Sequence, residues 1–290
     1  VNAPQFALIA AGPVPTTVAD VVHGMVRASG GAVRDTRFIT LPDDLGMAFR
    51  VAFDCSGRDP ASVREIVSMI GGRYPGLVWR FASTAEPART LLLAGPTAHC
   101  ADDLLSRHRT GRLPVEIVAV ASNHTTVAPA AAAAGVAFEH VSTADGQAEV
   151  EEQLRRLIKS WDVRLVVMAR WMRVLSAEFC RWLAEHGVTL LNIHHSPLPA
   201  FIGARAYEQA ATRGVRFVGV TVHYVTADGE LDRGPILVQR VREHHLVLPT
   251  GSDLAALGRE LEVAALAEAV DLHARACDVL LPNNRLAVFS

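Results

Sequence analysis

The run "VRLVVMARWMRVLSAEFCRWLAEHGVTLLNIHHSPLP", Val163–Pro199, decides how the larger part of this chain folds. "VRLVVMA" and "VTLLNIH" are short apolar runs of strand length. "SAEFCRWLAEHG" between them reads as a helix that starts near Ser176. Strands apolar along their whole length, alternating with helices, imply a parallel sheet covered on both faces. The same grammar extends upstream. "RTLLLAG", "VEIVAVASN" and "VAFEHVS" read as strands, and "HCADDLLSRHRTG", "VAPAAAAAG" and "GQAEVEEQLRRLIKSW" as the helices between them. Downstream, "FVGVTVHYV" and "PILVQRVREH" read as an antiparallel pair. "SDLAALGRELEVAALAEAVDLHARA" reads as a closing helix and "RLAVFS" as a last short strand.

The first 83 residues read differently. "QFALIAAG" is a strand ended by Gly12-Pro13, and "TTVADVVHGMVRASGG" a helix capped by Thr16 or Thr17. "AVRDTRFITLP" and "LGMAFRVAFDC" alternate like half-buried strands. "DPASVREIVSMIGGRY" is a second helix and "GLVWRFAS" a fourth strand. The order βαββαβ is the ferredoxin-like arrangement. We therefore expect an α/β chain with a ferredoxin-like domain at 1–83, a linker at 84–88 and a mostly parallel sheet domain at 89–290.

Composition excludes several function classes. The 28 Lys and Arg against 30 Asp and Glu leave a net charge of −2, with no general drive toward nucleic acid or a membrane surface. Cys55, Cys100, Cys180 and Cys277 lie far apart, so neither a zinc motif nor a disulfide framework is signalled. The thiols fit a reduced, cytoplasmic setting. The N-terminal stretch reads as a strand rather than a signal peptide, and no apolar run is long enough to span a bilayer.

Ligands of open α/β sheets sit beyond the carboxyl ends of the strands. Asn192 and His194 stand at such an end, two residues apart, so a continuing strand points both the same way. An amide and an imidazole can donate to an oxygen gaining negative charge, and the imidazole can move a proton. A lone strand-end Asn or His is ordinarily a hydrogen-bonded surface residue. The stretch "SPLPAFIGA" changes that balance, because Pro197 and Pro199 stiffen a loop in which Gly203 permits close backbone approach. In "HYVTADGELDRGPIL" an acid can orient the imidazole or hold water. Asp232 stands before Gly234-Pro235, with Asp228 and Glu230 nearby, and spacing alone does not choose among them. "MARWMRVLS" supplies Arg170, Trp171, Met172 and Arg173, either as a cover for the core edge or as a slot for a flat ring. Cys100, at a helix start, is a weak nucleophile candidate. His244-His245 lacks the spacing of a metal site.

"NIHHSPLPAFIGA" followed by "GVTVHYVTADGELDRGPIL" resembles the folate-dependent formyl-transfer domain. The double histidine, the "AFIGA" loop, "VEIVAVASNH" and "MARWMRVLS" are similar, within that group, to the formyltetrahydrofolate deformylase family. The resemblance spans essentially the whole chain. It implies an N-terminal ACT domain followed by a Rossmann-like formyltransferase domain. It implies hydrolysis of 10-formyltetrahydrofolate to formate and tetrahydrofolate, in one-carbon metabolism and purine biosynthesis. By motif, Asn192, His194 and Asp232 match the catalytic residues. Arg170, Trp171, Met172, Arg173, Val174 and Leu175, with Thr226, Ala227 and Asp228, match the walls of the pterin pocket. His195, Ser196 and Gly203 complete the substrate-binding set, and His195 is expected to help close the pocket. No cofactor or metal is implied, and a small-molecule folate is the expected partner.

The stretch "AGPTAHC" lacks the phosphate cradle of glycinamide ribonucleotide transferases, which points away from that acceptor. "AGPVPTTVADVV" departs from the family's Pro-Asp…Gly-Ile-Val turn. That argues against an amino-acid effector at the ACT domain and for an oligomerisation surface, so a homo-oligomer is expected. The loop before Asp232 is about two residues longer than the family pattern. The competing readings are a non-catalytic folate-binding regulatory protein and a formyltransferase with another acceptor.

Overall fold

The N-terminal elements are β1 (Phe6–Gly12), α1 (Thr17–Ala28), β2 (Ala32–Thr40), β3 (Met47–Asp54), α2 (Pro60–Arg73) and β4 (Val78–Ser83). The computed structural model describes residues 5–13, 17–42, 44–55, 57–227 and 231–289. The four strands form one antiparallel sheet in the order β2-β3-β1-β4, which is the ferredoxin-like order read from the sequence. α1 and α2 bury Val18, Val22, Val26, Val63, Val67 and Ile70 against Phe6, Leu8, Phe49 and Val51. Asp59 caps α2 by accepting from the Ser62 amide, with Pro60 in the first turn, where its missing N–H costs nothing. The expected cap Thr16 and part of the departed effector turn lie outside the described residues; α1 begins at Thr17.

A second unit runs from Ala88 to Asp271. It contains β5 (Ala88–Ala94), α3 (His99–Arg109), β6 (Val115–Ser122), α4 (Ala128–Ala133), β7 (Ala137–His140) and α5 (Gln147–Ser160). It continues through β8 (Leu165–Ala169), α6 (Ala177–Glu185), β9 (Thr189–His194), α7 (Ala206–Arg213), β10 (Phe217–Tyr224) and β11 (Ile236–Glu243). α8 (Gly251–Ala274) follows, one unbroken helix. The seven strands are ordered β11-β10-β9-β8-β5-β6-β7. β5 to β9 pair in parallel, and β10 and β11 are added antiparallel at one edge. The central parallel strands β5, β6 and β8 are buried on both faces, as their unbroken apolar runs require, and every residue of β8 is buried. Ser176 caps α6, accepting from the Phe179 amide.

The C-terminal boundary differs from the sequence expectation. The chain from Leu272 onward groups with the N-terminal unit rather than with the domain expected to run to residue 290. It carries a small hairpin of β12 (Asp278–Leu280) and β13 (Leu286–Val288), of which only the second strand was read from the sequence. Val279, Leu281, Ala287 and Phe289 bury against Ile9, Ala11, Leu41 and Ala48. Arg80 pairs with the Asp278 carboxylate, and Arg50 donates to the Ala276 and Arg275 carbonyls. Apolar alternation shows that a short strand buries one face but not which sheet it covers, so this return was not readable. The expected linker is shorter, because β5 already starts at Ala88.

Candidate active site

β9 is the strand on which the site is built. It pairs in parallel with β8, placing Asn192 beside Met168, and antiparallel with β10, placing Asn192 beside His223 and His194 beside Thr221. Asn192 and His194 share one side of the strand, as period-two geometry demands, and both line a cavity of about 200 Å³. β10 shifts register between Val222 and His223. An irregularity of this kind re-aims a side chain, and here it coincides with His223 reaching the cavity.

Asp232 comes from the β10–β11 connection. Its carboxylate Oδ2 lies 3.3 Å from His194 Nδ1 and accepts from the Gly203 amide at 3.0 Å. Its Oδ1 is 3.8 Å from His223 Nε2. One acid thus ties the loop after β9 to the loop after β10 and faces two imidazoles. Asp232 has φ 57°, a left-handed conformation that Asp tolerates better than most side chains. Gly234 is forced by space, since a Cβ there would sit 1.7 Å from the Tyr224 carbonyl oxygen. Asp228 and Glu230, the sequence alternatives to Asp232, lie outside the described residues.

The hydrogen bonds constrain the protons. His223 Nδ1 is 2.9 Å from the Tyr224 carbonyl, so it carries the hydrogen. Its Nε2 then accepts from the Asn192 side-chain amide at 3.2 Å. That amide keeps a second N–H for a ligand. His194 is in the opposite position. Its Nε2 is 3.0 Å from the Phe201 carbonyl and its Nδ1 faces Asp232, so both ring nitrogens meet acceptors. A neutral imidazole donates to only one of them, whereas an imidazolium satisfies both. Burial disfavours that charge and pulls the His194 pKa below the ordinary histidine value, against the upward pull of the Phe201 carbonyl and Asp232. The Asp232 carboxyl is held below the usual carboxylate range: burial acts to raise it, and His223, His194 and the Gly203 amide together outweigh burial. The site is therefore an ionised acid beside a ring one proton short of matching its surroundings.

The sequence-expected substrate residues divide as follows. Arg170, Trp171, Met172, Arg173, Val174, Leu175, His195, Gly203 and Thr226 line the cavity with Asn192, His194 and Asp232. Ser196 does not: it is buried and donates to the Ala200 and Phe201 carbonyls, holding the turn that follows β9. Ala227 follows the lining residue Thr226 but does not itself line the cavity. Asp228 is outside the described residues. Cys100, the weak nucleophile candidate, is 1% exposed, and burial pushes its thiol far up, so it is neither accessible nor ionised. The backbone around the cavity is unusual. Arg170, Met172, Phe201 and Arg205 share the left-handed conformation of Asp232. Non-glycine residues held this way concentrate where a loop is over-determined by its surroundings.

Two features were missed by sequence reasoning. His223 lay in a quoted strand but carried no motif, and only its cross-strand register with Asn192 marks it. Glu262, on α8 and 1% exposed, accepts from Arg170 Nη1 at 2.9 Å and the Tyr207 hydroxyl at 2.8 Å. Its other oxygen lies 2.6 Å from His99 Nε2. His99, Cys100 and Glu262 place potential ligand atoms within 4.8 Å of one another. The donor set suits a cation poorly, because the Glu262 charge already faces the Arg170 guanidinium and both its oxygens are engaged.

Residues 88–270 match the family model for formyl transferases. The formyltetrahydrofolate deformylase of Mycobacterium tuberculosis is 36% identical over 282 residues, covering 95% of this chain and 87% of that protein. The chain belongs to the formyltetrahydrofolate deformylase family. The crystal structure of the Burkholderia mallei deformylase superposes with a TM-score of 0.84 at 32% identity, covering 99% of this chain and 100% of that one. That of the Pseudomonas syringae deformylase gives 0.88 at 28% identity over 100% and 95% of the two chains. Both likenesses extend beyond the formyl-transferase match to the N-terminal unit. Among the described residues, no helix is long and apolar enough to cross a membrane.

Proposed function

We propose that this cavity hydrolyses 10-formyltetrahydrofolate to formate and tetrahydrofolate, with Asn192, His194 and Asp232 as the catalytic residues. The observation that carries the reading is their convergence, from one strand end and one loop, on a single cavity walled by Trp171, Met172, Val174 and Leu175. The cavity is smaller than the roughly 300 Å³ at which pockets begin to enclose drug-sized ligands. It suits the bicyclic ring of a pterin, with the benzoyl-glutamate part outside.

Water attacks the formyl carbon, and the carbonyl oxygen becomes an oxyanion. The second N–H of Asn192 donates to it, and the His194 ring, whose two nitrogens face the Phe201 carbonyl and Asp232, stabilises it by the positive charge it takes on during the reaction. The proton released by water goes to the His194–Asp232 pair and from there to N10, which leaves as a neutral amine. Without that proton N10 is a poor leaving group, so the acid–base pair is needed as well as the oxyanion donors. No cofactor or metal enters this scheme. The first unit we read as an ACT-type domain and a surface for homo-oligomer formation. Its edge strand β2 leaves Phe38 half exposed. Four free thiols fit a cytoplasmic setting.

The test is release of formate and tetrahydrofolate from 10-formyltetrahydrofolate by the purified chain. Asn192→Ala should lower kcat by about 10²–10³, the usual consequence of losing one oxyanion donor. Equal rates for the two proteins would remove Asn192 from the mechanism. Binding without turnover by the wild type would favour a folate-binding protein instead.

A further inference from the structure

The sheet order fixes a topological switch point. From β5 the chain moves outward through β6 to β7, then crosses back to β8 on the other side of β5 and outward to β9. The crevice beyond the carboxyl ends of β5 and β8 is where an open α/β sheet ordinarily binds a ligand. The cavity described above lies one strand further over, around β8, β9 and β10. The switch-point crevice is filled by the chain itself. A Cβ at Gly95, just past β5, would sit 1.8 Å from the carbonyl oxygen of Arg170, just past β8, so the two strand ends touch. Above them Glu262 gathers Arg170, Tyr207 and His99, from the end of β8, α7 and α3. Arg170 and His195 belong to the cavity wall as well, and the His195 ring lies 5.2 Å from the Tyr207 ring and 5.1 Å from that of His194.

We propose that Glu262, His99, Tyr207 and Arg170 form a plug in the switch-point crevice that determines acceptor specificity, keeping nucleophiles larger than water from the formyl carbon. The inference rests on the hydrolytic reading of the neighbouring cavity. Glu262 is the positioning residue. Its charge is matched by Arg170 and its two oxygens engage three partners, so the plug stands without a bound ligand. His99, with 22% of its side chain exposed, is the plug's outer member and the one whose removal opens the crevice.

The experiment uses 10-formyltetrahydrofolate with methoxyamine as a competing nucleophile. In the competing reaction the amine lone pair forms a bond to the formyl carbon and the bond from that carbon to N10 breaks. The proton lost by the amine goes to N10, and the products are N-methoxyformamide and tetrahydrofolate. Formate released without methoxyamine reports the hydrolytic reading, total tetrahydrofolate reports that the site still turns over, and the share of formyl found on methoxyamine reports the plug. The wild type should give formate almost alone. His99→Ala should keep total release within about ten-fold and raise the methoxyamine share at least ten-fold. Glu262→Gln, which keeps the volume and can keep all three contacts, should retain the wild-type share. A wild type that already formylates methoxyamine readily overturns the plug, and needs no folded variant to do so. An unchanged share in His99→Ala with release intact also overturns it. Absence of formate release from the wild type without methoxyamine would refute the hydrolytic reading instead.

Discussion

Replacing Asp232 by Asn separates the proton chemistry of the site from its architecture. The amide oxygen can still accept from the Gly203 N–H, now 3.0 Å from the carboxylate. The same oxygen position faces His194 Nδ1 at 3.3 Å, so the amide oxygen keeps the hydrogen of the ring on Nδ1, while the amide nitrogen takes the Oδ1 place, 3.8 Å from His223 Nε2. The ring still meets two acceptors, as in the wild type, but the negative charge that favours uptake of a proton is gone. A unit charge 3.3 Å from an imidazolium nitrogen is worth about 5 kcal/mol at an effective dielectric of 20. Its loss corresponds to a rate decrease of roughly 10³–10⁴, within the about 10²–10⁴ ascribed to a positioned acid–base group. Because the contacts are those the wild type makes with a neutral ring, thermal stability at pH 7 should stay within about 1 kcal/mol of the wild type. The assays are single-turnover tetrahydrofolate release and urea unfolding on the same preparations. A variant that is inactive and also several kcal/mol less stable would mean that Asp232 is chiefly a structural tie. A variant with more than a tenth of wild-type activity would remove it from proton transfer.

Three further outcomes follow from the same geometry. Burial, then Arg170, hold the His195 pKa down at about 4, below its unfolded value of about 6.5. The neutral ring therefore contributes stability that is full above pH 6.5 and lost as pH falls toward 4, about 3 kcal/mol in all. His195→Gln should flatten the urea midpoint between pH 7 and 4.5, and an unchanged pH profile would refute the assignment. Gly234→Ala should destabilise by about 1–3 kcal/mol and lower kcat more than it raises KM, because relief of the 1.7 Å overlap displaces the loop carrying Asp232. Wild-type unfolding and kinetics would contradict it. His223→Phe removes the acceptor that orients the Asn192 amide and should lower kcat about ten-fold, the worth of one hydrogen bond, with the far-UV spectrum unchanged; an unaltered kcat would show that Asn192 is oriented by other groups.

How far these features could be read from the sequence depends on the range of the interactions behind them. Apolar periodicity is local, so the parallel strands, the ferredoxin-like order and the start of a helix near Ser176 were all legible. Asn192 and His194 were legible because they share a strand and their spacing fixes their direction. By spacing Asp232 was one of three acids, and its contacts with the Gly203 amide and two imidazoles come from chain segments that spacing does not bring together. His223 owes its place to a register shift in β10, and Glu262 lies 92 residues from Arg170, so neither leaves a local trace. Ser196 sits within the loop motif yet turns inward to hold the chain, a choice made by backbone carbonyls that no spacing rule reveals. The destination of β12 and β13 was equally hidden, since a short amphipathic strand does not name its partner sheet.

The claim on which the rest depends is that side chains at the ends of β9 and β10 direct water at a formyl carbon. Running the reaction in water enriched in ¹⁸O, with formate and tetrahydrofolate measured together, tests it directly. The account predicts one solvent oxygen in each formate and one tetrahydrofolate for each formate formed. Tetrahydrofolate appearing without labelled formate, or labelled formate forming at the same rate in Asp232→Asn, would contradict it.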